Sequence, residues 1–302
     1  MRVGVMLLAI GIAVFPSSGQ ASDAPAPPAQ VPAADYVTIP FAPPIGVPLR
    51  YRLERQSLGG RGAGSFAGEF TATFDRHPEG YLLTIQWTIP PGLRPTSPAE
   101  RLLIQPMTFR LDENSNIVGF KNETEFWDAA EAILVEHFGG NRSDPAALER
   151  TRTAYRSFRE MSDDQRFNML GQNFLPIIAM SGTEHDRSEP ITAKVPMETP
   201  FGIAAFDVAV SLDSTDRERA RISSVSTIPA AEYERIIRSA AATFGQQTLP
   251  PFRSDGIRAT ESYDVWLATG LTHVYRSERT VEVEADGERA RVGLIQTLTR
   301  ID

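Results

Sequence analysis

Residues 66–89 read FAGEFTATFDRHPEGYLLTIQWTI. Phe66, Gly68, Phe70, Ala72 and Phe74 fall on one parity, and Glu69, Thr71 and Thr73 on the other. After the turn residues His77, Pro78, Glu79 and Gly80, an all-apolar parity returns as Tyr81, Leu83, Ile85, Trp87 and Ile89. Side chains on a strand alternate between two faces, so a period of two bounded by Gly/Pro turns specifies antiparallel strands with one buried side. A helix of this sequence would spread the same aromatics around its whole circumference.

The pattern extends in both directions. Upstream, Leu49, Tyr51 and Leu53 alternate with Arg50, Arg52 and Glu54, and a glycine cluster at 59–64 turns the chain. Downstream, Leu103, Gln105, Met107, Phe109 and Leu111 continue it, and Asp112 to Asn116 turn into a short strand, Ile117 to Lys121. The period then becomes helical. Phe126, Trp127, Ala130, Ile133, Leu134, His137 and Phe138 recur at helix spacing, with Asn122 and Glu125 spaced as a capping box. Further helices are expected from Asp144-Pro145 and from Ser162 to Gln165 onward, with Pro176 kinking the latter or ending its regular part. Strands resume after Pro190, at Ala204 to Leu212 and Arg219 to Ile228. A fourth helix follows Pro229, carrying Tyr233, Ile236, Ile237, Ala240 and Phe244. The last strands are Tyr263 to Leu267, Val274 to Ala285, and Val292 to Leu298 after the hairpin pair Asp286-Gly287. Nine or ten strands in two groups, three helices between them and one inside the second predict the α+β class. The expected architecture is a large curved antiparallel sheet, half-barrel-like, with its helices packed on one face.

The N-terminus reads as a secretory leader. Met1-Arg2 precedes an apolar run from Val3 to Phe15, too short to span a bilayer, and Gly19 and Ala21 supply the small residues cleavage requires. The expected organisation is a signal peptide at 1–21, a Pro/Ala-rich linker at 22–36 and one α+β domain at 37–302, working in the periplasm or outside the cell. No membrane span is expected after cleavage. The chain has no cysteine, which removes lipid attachment at cysteine, disulfides and thiolate chemistry. A formal net charge of −8 with scattered basic residues makes nucleic acid a poor partner.

Catalytic signatures are thin. The four histidines (His77, His137, His185 and His273) include no pair at ligand spacing, and Glu184-His185-Asp186 falls where a solvated loop is expected. Neither G-x-S-x-G nor a serine-lysine nucleophile pair occurs, and the glycine run lacks Gly-Lys-Ser/Thr, so no cofactor is called for. Asp163 and Asp164 suit the first turn of a helix, and Asp213 and Asp216 a turn.

What remains is a surplus of large apolar side chains. Trp87, Phe109 and Trp266 on strands, with Trp127, Phe174 and Ile178 on helices, either fill an ordinary core or line a site for an apolar molecule. Arg279 joins this candidate site because His273, Tyr275, Ser277 and Arg279 alternate onto the parity of Val281 and Val283, offering polar groups to a ligand headgroup. Two segments, Phe109 to Val118 and Tyr263 to Leu271, resemble the strand-turn-strand units of periplasmic lipoprotein-carrier and lipid-binding proteins, and the chain as a whole resembles exported proteins of proteobacteria. The resemblance implies a half-barrel clasping helices, with a lipid or other apolar small molecule between them. Two alternatives stand beside it: an interaction or scaffold module for another envelope protein, and a hydrolase using a carboxylate pair.

Overall fold

A computed structural model describes residues 36–59, 64–89, 101, 104–139, 171–199, 202–243, 252–285 and 288–302, with single positions between 149 and 170. The expected leader, most of the linker, Phe244, Asp286-Gly287 and most of the helices expected over 144–170 lie outside the described residues.

In chain order the strands are β1 (Tyr36–Ile39), β2 (Leu49–Leu58), β3 (Ser65–His77), β4 (Gly80–Thr88), β5 (Met107–Leu111) and β6 (Ile117–Phe120). Helix α1 (Glu123–Gly139), a 3-10 turn (Leu175–Ile177), β7 (Thr183–Asp186), β8 (Ile191–Thr199), β9 (Gly202–Thr215) and β10 (Arg219–Ile228) follow. Helix α2 (Ala230–Thr243), β11 (Phe252–Trp266), β12 (Thr272–Ala285) and β13 (Glu288–Arg300) complete the order. Eleven strands form one antiparallel sheet in the order β6-β5-β4-β3-β2-β13-β12-β11-β10-β9-β8, and β1 pairs with β7 in a second, two-stranded sheet. The protein is therefore mostly β, with two described α-helices. The large sheet is open, with edges at β6 and β8, and is neither closed nor strongly curled as a half-barrel would be.

The hairpin legible in residues 66–89 is β3–β4, in register with Phe70 opposite Trp87, Ala72 opposite Ile85 and Phe74 opposite Leu83. The meander continues outward to β5, where Leu83 faces Phe109, and inward to β2, where Tyr51 faces Phe70. The last strand, β13, pairs with β2 through Leu298 and Leu53, so the two ends of the domain meet at the middle of the sheet. Strands of 13 to 15 residues dominate the second half, and β11 begins at Phe252, eleven residues before the expected start. Its first half alternates polar and small residues rather than large apolar ones, which hid it.

Cross-strand partners share a face, so the register defines a single inward face. Two apolar clusters lie on it. The larger gathers Tyr51, Phe70, Leu83, Phe109 and Leu298 with Phe126 and Trp127 of α1 and with Phe174, Ile177 and Ile178 of the following turn. The smaller packs Tyr233 and Ile236 of α2 on Phe206, Val208 and Ile228. Both described helices thus cover the same face. The other face carries Arg50, Arg52, Glu54 and Glu69, with both arginines paired to Glu69.

Local chemistry departs from expectation at three points. Asn122 does not cap α1. Its Oδ1 accepts from the Thr108 amide and its Nδ2 donates to the Pro106 carbonyl, tying β5 to the helix start. Regular helix ends at Gly171, and Pro176 sits inside the 3-10 turn, which a proline tolerates in its first positions. Glu184-His185-Asp186 is not a loop but β7, with His185 opposite Val37. Alternation turns His185 inward, where its Nε2 meets the Thr183 hydroxyl at 2.8 Å, and turns both carboxylates away. Among the described residues no three His, Cys, Asp or Glu side chains come together as metal ligands, and no helix is long and apolar enough to cross a membrane.

Candidate functional site

The inward face changes character abruptly across the centre of the sheet. One row of cross-strand neighbours is wholly apolar or aromatic: Leu53, Leu298, Tyr275, Tyr263 and Ile222, on β2, β13, β12, β11 and β10. All five are at most 1% exposed. Two residues further along each strand lies a wholly polar row: Arg55, Gln296, Ser277, Glu261 and Ser224. At about 4.8 Å between strands, this row runs roughly 19 Å across the sheet. The third row begins with Ser57, Leu294, Arg279, Ala259 and Ser226.

Glu261 is the hub. Its side chain is 3% exposed and accepts three hydrogen bonds: from Tyr263 Oη at 2.9 Å, Tyr275 Oη at 3.0 Å and Arg279 Nη2 at 3.3 Å. Burial, reinforced by the Glu261 charge, holds both tyrosine hydroxyls far above their ordinary value, so they stay protonated donors. Burial opposes charge on Arg279, but Tyr275 and Glu261 outweigh it and hold the guanidinium in its charged form. The charge of Arg279 is therefore compensated inside the fold.

Arg55 is different. It is half-buried and donates from Nε to Gln296 Oε1 at 3.1 Å, and Gln296 in turn donates to the Gln172 carbonyl at 3.2 Å. Its Nη2 is shielded from solvent and has no hydrogen-bond partner. Burial, and then repulsion from Arg279, push this guanidinium down to about 10. The row and its neighbour hold two arginines and one glutamate. Among the described residues the positive charge without an ion pair is that of Arg55, because Glu261 is committed to Arg279.

Apolar residues adjoin this polar strip on the same face. Phe66 stands opposite Arg55 on β3 and is 41% exposed. Leu294, Val292, Val281 and Ile257 follow on β13, β12 and β11, all partly exposed. Ile257 and Val281 pack against the smaller cluster, which leaves Phe66, Leu294 and Val292 as an apolar surface next to a charged one.

The residues singled out from sequence divide into three groups. Trp87, Phe109, Trp127, Phe174 and Ile178 come together in the larger apolar cluster. They pack against each other and their neighbours, with ring centroids 4.8 Å apart for Phe109 and Phe174, and 5.0 Å for Phe70 and Trp87. Arg279 lies at the polar strip. Trp266 lies apart from both: it follows Val265 on β11 and faces the other way, under the Arg219 guanidinium at 4.1 Å and edge-on to His273. Alternation from Tyr263 and Val265 puts Trp266 there, and the facing strand β12 carries a bulge at the level of Asp264 and Val265. The bulge turns Thr272 inward, where its hydroxyl donates to the Pro176 carbonyl at 2.7 Å, and takes His273 out of the row of Tyr275, Ser277 and Arg279.

Sequence reading missed Arg55, Glu261 and Gln296. The signal was present: each sits on the apolar parity of its strand, after Leu49, Tyr51 and Leu53, before Tyr263 and Val265, and between Leu294 and Leu298. A charged or amide side chain at an inward-facing position needs a partner, and none is close in sequence, since Arg55 and Gln296 are 241 residues apart. No protein-family model matches the chain, and no curated protein matches it by sequence.

Proposed function

We propose that this protein is an envelope binding protein whose ligand is amphipathic and lies on the inward face of the large sheet. The ligand's polar end meets the strip of Arg55, Gln296, Glu261 and Arg279, and its apolar part lies along Phe66, Leu294 and Val292. The observation that carries the reading is the junction of the two surfaces: a polar row 2–5% exposed at Ser277, Gln296 and Glu261, immediately beside partly exposed apolar side chains. A face that only closes a core has no use for that order, because apolar side chains at the same positions would seal it without burying charge. The reading of residues 1–21 as a secretory leader supports work in the periplasm or beyond. In this reading the open sheet is one wall of the site and the helices are the other.

The experiment is native mass spectrometry of the protein purified from the periplasm of its own source, followed by organic extraction. The expected result is a reproducible added mass that partitions into the organic phase. A uniform mass equal to that of the bare chain would refute the reading. The hydrolase alternative is not favoured, since Glu261 is surrounded by tyrosines and an arginine rather than by a second carboxylate.

A further inference from the structure

The geometry at Arg55 points to the chemical class of the ligand, and this inference rests on the amphiphile reading above: the headgroup carries one negative charge. Three groups fix the local charge. Glu261 bonds Arg279 and both tyrosines, and the hydrogen bond of Arg55 goes to Gln296 instead. Gln296 satisfies Arg55 at Nε only, through an amide oxygen that carries no charge. The adjoining Ser277 and Ser224 are neutral, and the side chain opposite on β3 is Phe66. Among the described residues two cations and one anion leave a single positive charge, with a guanidinium nitrogen of Arg55 turned away from solvent and unbonded.

A guanidinium is a planar fork that matches the two oxygens of a carboxylate or of a phosphodiester. One such group on Arg55 would neutralise the cluster and satisfy Nη2 in the same contact. A dianion would overshoot the charge, and a neutral headgroup would leave the nitrogen as it is. The apolar neighbours Phe66 and Leu294 set the chain of the same molecule beside the headgroup. A long-chain carboxylate and a singly charged phospholipid share this chemistry.

The test is calorimetric titration of the full mature chain with dodecanoate, lysophosphatidylglycerol, 1-dodecanol and acetate. The wild-type protein is compared with Arg55→Met and Arg55→Gln, and melting temperatures are recorded without ligand. At least one of the two charged amphiphiles is expected to bind tighter than dodecanol by roughly tenfold or more, the worth of a charge-assisted hydrogen bond. Both variants are expected to erase that preference while keeping dodecanol binding. Arg55→Met is expected to melt no lower than wild type, because it removes a buried charge that lacks a counter-ion. An arginine that served only the fold would instead lower the melting temperature when replaced. If methionine disturbs packing, the glutamine variant retains the polarity and answers the binding question. Equal binding of charged and neutral amphiphiles, unchanged in both variants, would overturn the single-charge inference and leave the amphiphile reading standing. Acetate binding as tightly as dodecanoate, and lost in both variants, would overturn the amphiphile reading and make the site one for small free anions. No binding of any probe would overturn both.

Discussion

Replacing Glu261 by glutamine isolates the charge at the centre of the sheet. The substitution keeps the shape of the side chain and most of its hydrogen-bonding capacity. The amide oxygen can still accept from one tyrosine, and the amide nitrogen can donate to the other hydroxyl oxygen. What disappears is the carboxylate charge that pairs with Arg279, whose side chain is 16% exposed against 3% for Glu261. Breaking a buried ion pair from one side leaves the surviving charge uncompensated and costs roughly 3–5 kcal/mol. In this protein the second arginine sharpens the effect, since Arg55 already repels Arg279. Urea unfolding of wild type and Glu261→Gln should show a loss of stability of that size, read as a lowered midpoint with an unchanged slope. The double variant Glu261→Gln with Arg279→Met should recover much of the loss, because the stranded charge is then gone. A single variant within about 0.5 kcal/mol of wild type, or a double variant no better than the single, would refute the view that Glu261 acts as the counter-ion of a buried arginine.

Three further outcomes are expected. The hydroxyls of Tyr51, Tyr263 and Tyr275 are pushed up by burial from an ordinary value of 10.0. Their contribution to stability is complete below pH 10 and lost above it as the unfolded chain ionises first, so urea midpoints should fall with rising alkalinity and less steeply in Tyr275→Phe. Burial pulls His185 below its ordinary 6.5, which gives the opposite sign: its contribution is present above pH 6.5 and lost as the pH falls, and His185→Gln should flatten the acid limb measured between pH 7 and 5. Gly270 turns between β11 and β12 at φ +74°, with the Pro40 carbonyl oxygen 1.6 Å from where a β-carbon would stand. Gly270→Ala should therefore cost roughly 1–3 kcal/mol from backbone strain alone and more from displacement of Pro40, read as a lowered melting temperature.

Much of the sheet was legible in residues 49–89 because each large side chain there reports its own face. Phe70, Phe74, Leu83 and Ile85 repeat every second position, and a period of two is a property of the strand itself. The turns declared themselves for the same local reason. Asp112, for example, accepts from the amides of Asn114 and Asn116, a closure that needs only nearby residues. Strand β7 escaped notice because four residues, Thr183 to Asp186, are too few for a period, and their identity as a strand comes from pairing with Tyr36 to Ile39 about 146 positions away.

The candidate site divides along the same line. By itself the sequence determined that the chain alternates into a sheet with one apolar face, that helices interrupt it, and that Arg279 stands on an otherwise apolar parity. Tertiary structure alone decided that the sheet is a single open one of eleven strands, that Trp87, Phe109, Trp127 and Phe174 pack together as core, and that a bulge removes His273 from that face. It alone brought Arg55, Glu261, Arg279 and Gln296 together from four different strands. The physical reason is that a side chain's face is set by its two neighbours, whereas its charge balance is set by whatever strand lies 4.8 Å away, and that strand can be any part of the sequence.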